Sequence, residues 1–368
     1  MDGASGWSKL RNGEYFGAIH FYCVGDCFLI DKPQREKMVQ TLLRASIATL
    51  LVLALTLGCQ RSAQDDTLTL RMGHVYEVNS PTHRYATGRL AERLQEKPIG
   101  LAINVYPGGQ LGSEAELLEQ LVAGEIDLSI AGPSFLAMWH PPLGAFDAAY
   151  AFRDIDHMLT VADGPLIAPH WEVLRERFGV RVLATWPYGV RHLTANRPVR
   201  TPADLQGFRL RMPGARVWQE SGAALGASPM PMSFSEVYMA LQQGIADGQE
   251  NPVPVIESMK FHEVQKYLIL TGHIQSSVQV LIREPVWQRL TDDQRGALTT
   301  IVKELGKDLA AGLEEEEKTL LERWEHDKTM QIIRDADIEA FRTRAQQHFR
   351  SGYPFSEIYQ KITAERSP

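Results

Sequence analysis

The sequence PMPMSFSEVYMALQQGIADGQENPVP, Pro229–Pro254, follows closely on GFRLRMP, Gly207–Pro213. The shorter segment alternates apolar and basic residues as a strand does, and its last residue is a proline that ends the strand. In the longer segment, Ser233 and Glu236 have the spacing of a capping box, and a helix is predicted from there to Gly244. A strand followed by a well-bounded helix is the repeating unit of an α/β fold.

Arg211 is the residue of this segment that points to a function. In the predicted strand, 208–212, it lies at the carboxyl end, where open α/β sheets bind their ligands, and its planar guanidinium matches a carboxylate. Asn251, held extended by Pro252, can donate its amide to an anionic oxygen. Two plainer interpretations stay open: a surface ion pair for Arg211 and a turn-capping side chain for Asn251.

Strands and helices alternate on both sides of this segment. Strands are predicted at Leu68–Gly73, Leu101–Tyr106 and Ile126–Ala131, separated by two helices, the second of which opens with a capping box at Ser113. This order predicts a right-handed parallel α/β unit, and a second unit is predicted to begin near Tyr188. Further helices are predicted over 156–161 and 165–178, and further strands over 180–186, 267–271 and 278–282.

The segment Thr291–Asp327 contains no proline and has apolar residues at helical spacing, after a capping box formed with Gln294. A single helix of this length spans about 50 Å, which is enough to brace two domains. The alternative is two consecutive helices that are broken at Gly312.

Charge and composition exclude some classes of function. The chain has 368 residues and a formal net charge of -7, so it is long enough for two domains and too acidic to suggest nucleic acid as a partner. It contains no nucleophile elbow, zinc-protease motif, phosphate-binding loop or dinucleotide fingerprint. We therefore expect no catalytic residues, no metal and no cofactor, and a binding protein rather than an enzyme. An exported hydrolase is the alternative.

The amino-terminal part differs from the rest of the chain. Thr41–Leu57 is a short segment, apolar after Arg44, that follows positively charged residues and directly precedes Gly58-Cys59. This pattern indicates a secretion signal, with Cys59 as the lipidated first residue of the mature protein. A plain signal peptide with an incidental cysteine is the alternative. Because Met38 could start translation just before the apolar run, residues 1–37 are interpreted as lying upstream of the true start.

Taken together, these stretches resemble the solute-binding proteins of TRAP transporters, the DctP type. The resemblance rests on Pro229–Pro254, on YPGGQLGSE at Tyr106–Glu114, on GEIDL at Gly124–Leu128, and on FHEVQKY at Phe261–Tyr267. It implies a two-domain, periplasmic-binding-protein-like α/β fold with a long helix bracing both domains. It also implies an extracytoplasmic protein that hands an organic acid to a permease of two unequal subunits, driven by an ion gradient. Together with the signal before Cys59, this predicts a periplasmic protein that is lipid-anchored to a membrane through Cys59.

The expected division of the chain combines the amino-terminal signal, the order of strands and helices, and this resemblance. The segments are an upstream and signal region, 1–58; a tether, 59–66; domain I, 67–187, completed near 278–290; domain II, 188–277; and the long helix with carboxyl-terminal packing segments, 291–368. A ligand-binding component of a signalling receptor would look alike, and it stays open as an alternative.

The resemblance also implies binding residues. Arg211 matches the family's carboxylate-binding arginine, Arg191 a second cleft arginine, Asn251 a cleft asparagine, and Phe234 an aromatic residue that packs on the ligand. Members that bind sialic acid carry a glutamate in the stretch corresponding to Ile130–Ser134, which here reads IAGPS and argues against that ligand.

Weaker candidates come from predicted strand ends. His74 and Glu77 follow the first strand and could bond substrate hydroxyls, with a solvated loop as the alternative. Trp186 could line the cleft or belong to the core. The same two alternatives hold for Trp139, Tyr188 and Trp218. Tyr76 and Asn79 lie in the loop of His74 and Glu77 and share the alternatives given for those two residues. The ligand expected is a sugar acid, a hydroxy acid or a dicarboxylate.

Overall fold

The computed structural model describes residues 31, 33, 36–46 and 67–365. The chain divides into two compact units, Met1–Gln64 and Asp65–Pro368. In the first unit, residues 36–46 are helical, and the Thr41 hydroxyl donates to the Lys37 carbonyl at 2.7 Å. The rest of the predicted signal segment and Cys59 lie outside the described residues. Within the described part, no helix is both long and apolar enough to cross a membrane.

The second unit is built on one mixed sheet of nine strands, in the order β2-β1-β3-β8-β4-β7-β5-β6, with β9 beside β8. Their bounds are β1 Leu68–Gly73, β2 Leu101–Tyr106, β3 Leu128–Ala131, β4 Val180–Ala195, β5 Arg209–Met212, β6 Ser228–Pro231, β7 Gly248–Pro252, β8 Tyr267–Arg283 and β9 Gln331–Ile333. The predicted parallel unit is present, because β1 pairs in parallel with both β2 and β3.

Twelve α-helices are described in this unit. Their bounds are α1 Gly88–Gln95, α2 Glu114–Ala123, α3 Pro133–Leu136, α4 Ile155–Ala162, α5 Ala168–Phe178, α6 Arg216–Leu225, α7 Val237–Gln242, α8 Val253–Ser258, α9 Glu284–Arg289, α10 Asp292–Asp327, α11 Ile338–Phe349 and α12 Ser356–Ala364. A π-helical segment, Thr82–Thr87, precedes α1, and short 3₁₀ turns cover Pro141–Asp147, Pro202–Leu205, Phe234–Glu236 and Phe261–Glu263.

The two long strands β4 and β8 are where sequence pattern and structure differ. The sequence predicts a strand over only 180–186 of β4, and two separate strands, 267–271 and 278–282, within β8. In the structure β4 and β8 pair antiparallel over almost their whole length. Register irregularities between Val182 and Ala184, Pro187 and Gly189, and Arg191 and Leu193 interrupt the alternation along β4, which hides its continuity. The expected domain limits at 187/188 and 277/278 therefore fall inside these strands.

The helix α10 is continuous, so the interpretation as two helices is wrong. Thr291 caps it as predicted, with its hydroxyl accepting from the Gln294 N–H at 3.2 Å. Two of its three glycines, Gly306 and Gly312, are close-approach positions instead of breaks. A Cβ at Gly306 would lie 2.8 Å from the ring of Trp186, and one at Gly312 would lie 2.6 Å from the ring of Tyr85.

Helix α10 packs against two separate parts of the core. Its 36 residues extend about 54 Å. The apolar residues from Leu298 to Leu313 pack with β1, β2 and β3, whereas Leu320 and Trp324 pack with residues of α7 and α8. The predicted fold class, an α/β protein with a long bracing helix, is confirmed.

Candidate functional site

A cavity of about 540 Å³ lies where several strand ends meet the amino terminus of α2. The loop after β1, the end of β3 and the first turn of α2 form part of its wall, and β4, β5, β7 and the 3₁₀ turn before α7 form the rest. Five of the seven predicted binding residues line it: Arg211, Arg191, Asn251, Phe234 and Glu77.

Arg211 is a buried cation without a carboxylate partner. Its side chain is at the end of β5 and is 2 % exposed. Nη2 donates to the Met232 carbonyl at 2.8 Å, while the buried Nε has no hydrogen-bond partner among the described residues. No carboxylate oxygen of the described chain lies within 4.0 Å of this guanidinium. Burial lowers the pKa of Arg211 to about 10, so the group stays charged at neutral pH.

Arg191 has the opposite arrangement, because Glu250 neutralises it. Arg191 lies on β4 opposite Pro252 of β7, which makes Glu250 its diagonal neighbour. Nε and Nη2 contact the two carboxylate oxygens at 2.5 and 2.7 Å, and Nη2 also donates to the Glu250 carbonyl at 2.8 Å. Burial would lower the pKa of Arg191, but Glu250 outweighs burial and raises it. The neighbouring His273 ring lies 3.2 Å from Glu250 Oε2, and burial lowers the pKa of His273.

Asn251 is oriented by a chain of buried amides. Its Nδ2 donates to Gln249 Oε1 at 2.5 Å, and Gln249 Nε2 donates to the Thr194 hydroxyl at 3.1 Å. The hydroxyl of Thr194 in turn donates to Gln265 Oε1 at 3.1 Å. These contacts hold the amide of Asn251 in one orientation at the cavity wall.

Aromatic rings surround the two arginines. Arg191 Cζ lies 4.5 Å from the ring centroid of Trp218 and 5.6 Å from that of Tyr188, and Arg211 Cζ lies 5.7 Å from that of Phe234. Tyr76, Tyr188 and Trp218 line the cavity together with Phe234. Rings at these distances cover the guanidinium groups, and a charge that is shielded from water interacts more strongly with an opposite charge.

Glu114 is a cavity residue that sequence reasoning missed. It is the first residue of α2, and its Oε1 accepts the Gly132 N–H at 2.6 Å. Burial raises the pKa of Glu114 to about 7. Behind Gly132, the fully buried Asp147 accepts from the Ser134 N–H at 2.8 Å, and burial raises the pKa of Asp147 to about 6. The capping box predicts the start of α2 but does not indicate which of its glutamates line the cavity.

His74 and Trp186, predicted as cleft residues, are placed away from the cavity. His74 is fully buried behind the loop after β1, where its Nδ1 accepts from the Tyr76 N–H at 3.2 Å. Burial lowers the pKa of His74 to about 3. Trp186 is also fully buried, and its indole N–H donates to the Val302 carbonyl of α10 at 2.8 Å. The irregular register beside Tyr188 explains why Tyr188 faces the cavity although Trp186 faces the helix.

Two other weak candidates also lie outside the cavity lining. Asn79 donates from Nδ2 to the Ser258 carbonyl at 3.1 Å, and Trp139 stacks on Phe178 with ring centroids 5.3 Å apart. In the described ranges there is no group of three or more His, Cys, Asp or Glu side chains arranged to hold a metal ion.

Comparison with known proteins gives consistent results. The family model for bacterial extracellular solute-binding proteins, family 7, matches residues 72–357. The sialic acid-binding periplasmic protein SiaP of Vibrio cholerae is 37% identical over 262 residues, which are 71% of this chain and 81% of that protein. The C4-dicarboxylate-binding periplasmic protein DctP of Rhodobacter capsulatus is 32% identical over 295 residues, 78% of this chain and 84% of that one.

The fold is also found among solved structures. A crystal structure of a TRAP periplasmic solute-binding protein from Roseobacter denitrificans with bound L-galactonate has a TM-score of 0.74 and 32% identity. It covers 80% of this chain and 98% of that chain. These three proteins are thus described with three different kinds of organic acid: sialic acid, a C4-dicarboxylate and L-galactonate.

Proposed function

The chain belongs to the DctP family, family 7 of the bacterial extracellular solute-binding proteins, and from this premise we propose that it captures an organic acid by means of Arg211. It is an extracytoplasmic solute-binding protein of the TRAP type, as its sequence predicts. The partner proposed for it is a TRAP permease driven by an ion gradient, and we expect the ligand to be released chemically unchanged.

The state of Arg211 is the observation that supports this proposal. A buried guanidinium without a carboxylate partner is costly, and its unpaired Nε represents hydrogen-bonding capacity that a folded protein normally satisfies. A ligand carboxylate at this position would neutralise the charge and accept from Nε. A surface ion pair, the plain alternative for an arginine on a strand, does not fit a side chain that is 2 % exposed and unpaired.

The remaining wall residues are proposed to complete the ligand's surroundings. Asn251 supplies a pre-oriented amide, Phe234 supplies an apolar surface beside the arginine, and Glu77 supplies acceptors for hydroxyl groups. Within the described part of the chain, Arg191 donates hydrogen bonds to Glu250 through Nε and Nη2, so Nη1 is the atom it would turn to a ligand. His74 and Trp186 are proposed to act indirectly, by supporting the loop of Tyr76 and the strand of Tyr188.

We expect the two proposed domains to close on the bound acid and bury it. Domain I is 67–187, completed by 278–290, and domain II is 188–277. The ligand can raise the fraction of closed protein only to the extent that it binds the closed form more tightly than the open form. In the closed cavity the charges are shielded from water, and this supplies the difference in affinity. Delivery to the permease would depend on recognition of this closed form. Lipid anchoring through Cys59 is proposed on sequence grounds alone, since Cys59 lies outside the described residues.

The test is a matched pair of arginine variants. Organic acids are first screened by thermal shift, since a ligand raises the apparent stability by mass action. The best acid is then titrated calorimetrically into wild type, Arg211→Ala and Arg209→Ala. Arg209 is on the same strand but is exposed and paired with Asp247. We expect Arg211→Ala to weaken binding at least tenfold, about 1.4 kcal/mol, and Arg209→Ala to stay within twofold. Equal affinities for wild type and a folded Arg211→Ala would contradict the proposal.

A further inference from the structure

If Arg211 anchors a carboxylate, as proposed above, the charge of the remaining wall determines what the rest of the ligand can be. Two arginines line the cavity, but only one of them is without a counter-ion. Arg191 is held in a two-point contact by Glu250, and both side chains are buried, at 4 % and 0 % exposure. Among the described residues that line the cavity, Arg211 is therefore the one arginine without a carboxylate partner, and this matches one carboxylate.

The first turn of α2 contributes negative charge to the same cavity. Glu114 and Glu116 both line it. Glu116 is engaged in the helix cap, where its Oε2 accepts the N–H and the hydroxyl of Ser113 at 2.7 and 2.8 Å. Glu114 has one partner, the Gly132 N–H on Oε1, and no donor of the described chain bonds to Oε2. Glu114 is therefore the acceptor in this turn that is not occupied by the helix cap.

Further charges reinforce this arrangement. Glu77, from the loop after β1, lines the cavity and lies against Gly108, where a Cβ would be 3.2 Å from its carboxylate. Glu236 also lines it, with Oε2 accepting the Ser233 N–H at 3.0 Å. A second ligand carboxylate would enter among these glutamates without a cation to receive it.

We propose that Glu114 is a specificity-determining residue that admits acids with one carboxylate and hydroxyl donors and rejects acids with a second carboxylate. Its carboxylate repels a second anionic group and accepts a hydrogen bond from a hydroxyl in the same place. This assigns the protein to the polyhydroxy monocarboxylates and excludes the four-carbon dicarboxylates, for which Arg191 would have to be a free second cation. The cavity, at about 540 Å³, has room for a chain longer than four carbons.

The experiment uses pairs of acids that differ only at one end. L-Galactonate and galactarate form one pair, and D-gluconate and D-glucarate form another, because oxidation of the terminal alcohol adds the second carboxylate. Binding is measured by calorimetry at pH 8, where Glu114 is ionised. We expect the wild type to bind the monocarboxylate of at least one pair at least tenfold more tightly than its dicarboxylate. In Glu114→Gln, which keeps Oε1 as the acceptor for Gly132, that ratio is expected to fall at least fivefold.

Glu119→Gln is the matched control, because Glu119 is on the same helix, is exposed, and does not line the cavity. It removes the same charge and should leave the ratio unchanged. The inference is overturned if no acid of either pair binds, if the dicarboxylate binds as well as its partner, or if Glu114→Gln keeps the wild-type ratio. If the protein prefers the dicarboxylate and its binding is still weakened by Arg211→Ala, only the proposed selectivity for monocarboxylates is refuted. Binding that does not depend on Arg211 would refute the proposed function instead.

Discussion

The buried pair of Arg191 and Glu250 allows a prediction about stability that is independent of any ligand. Glu250 is fully buried, and it accepts the main hydrogen bonds of a guanidinium that is 4 % exposed. Replacing it by Gln removes the counter-charge but keeps the size, so a cation remains buried beside Arg211. Breaking a buried ion pair in this way costs about 3–5 kcal/mol, because the remaining charge has no compensation. We expect that loss in the free energy of unfolding of Glu250→Gln.

The magnitude is checked by urea unfolding of four proteins in a double-mutant cycle. Wild type, Glu250→Gln, Arg191→Met and the double variant are compared at pH 7.5. Because the double variant removes both charges of the pair and leaves neither partner behind, we expect it to be more stable than the sum of the single losses predicts, by about 2 kcal/mol or more. The control is Asp308→Asn. Asp308 pairs with Arg89 at 3.5 Å on the surface, and its loss should change stability by less than about 1 kcal/mol.

Two results would refute this reasoning. One is a Glu250→Gln protein whose stability lies within about 1 kcal/mol of wild type, which is the range of a surface pair. The other is additivity of the single variants, because it would show that the two charges do not compensate one another.

Two further predictions concern pH and packing. The pKa of Glu114 is raised to about 7, above its ordinary value of 4.5, so ionisation is disfavoured in the folded state and stability is lost as pH rises through about 7. The free energy of unfolding of Glu114→Gln should therefore exceed that of wild type by about 1–3 kcal/mol at pH 8 and by little at pH 4, as measured by thermal unfolding. An equal difference at both pH values would contradict this. In α10, Gly312→Ala should destabilise by about 1–3 kcal/mol, because its Cβ would lie 2.6 Å from Tyr85. Gly296→Ala, with open space around it, should stabilise by about 1 kcal/mol, and a gain at both positions would show that Tyr85 does not confine the helix.

Local signals predicted the parts of the fold that depend on local interactions. Ser113 and Thr291 begin α2 and α10 as their capping boxes indicate, and Gly124 and Gly244 follow helix ends with positive φ values of 87° and 66°. These features need only the hydrogen bonds of a helix terminus, so a short window of sequence contains them.

Features that depend on tertiary contacts were not predictable in this way. The strand β7, Gly248–Pro252, has the polar sequence GQENP and yet is buried at every position. Its polar groups are satisfied by partners distant in sequence, such as Thr194 for Gln249. The same limitation applied to Trp186 and Tyr188, which would share one face of a regular strand but are separated by a register irregularity.

The two arginines show why the chemistry of the site needed the structure. Arg191 and Arg211 each lie on a strand, and the family resemblance assigns both to the cleft. Their difference comes from Glu250, which the antiparallel register of β4 and β7 places beside Arg191 and which bonds only to Arg191 of the two. Glu250 precedes Asn251 in the same short strand, so one segment both neutralises Arg191 and places an amide in the wall of the cavity that Arg211 also lines. The sequence suggests two available cations, whereas Arg211 alone of these two lacks a carboxylate partner among the described residues. This difference is the reason why we propose that a dicarboxylate would lack a second cation in this cavity.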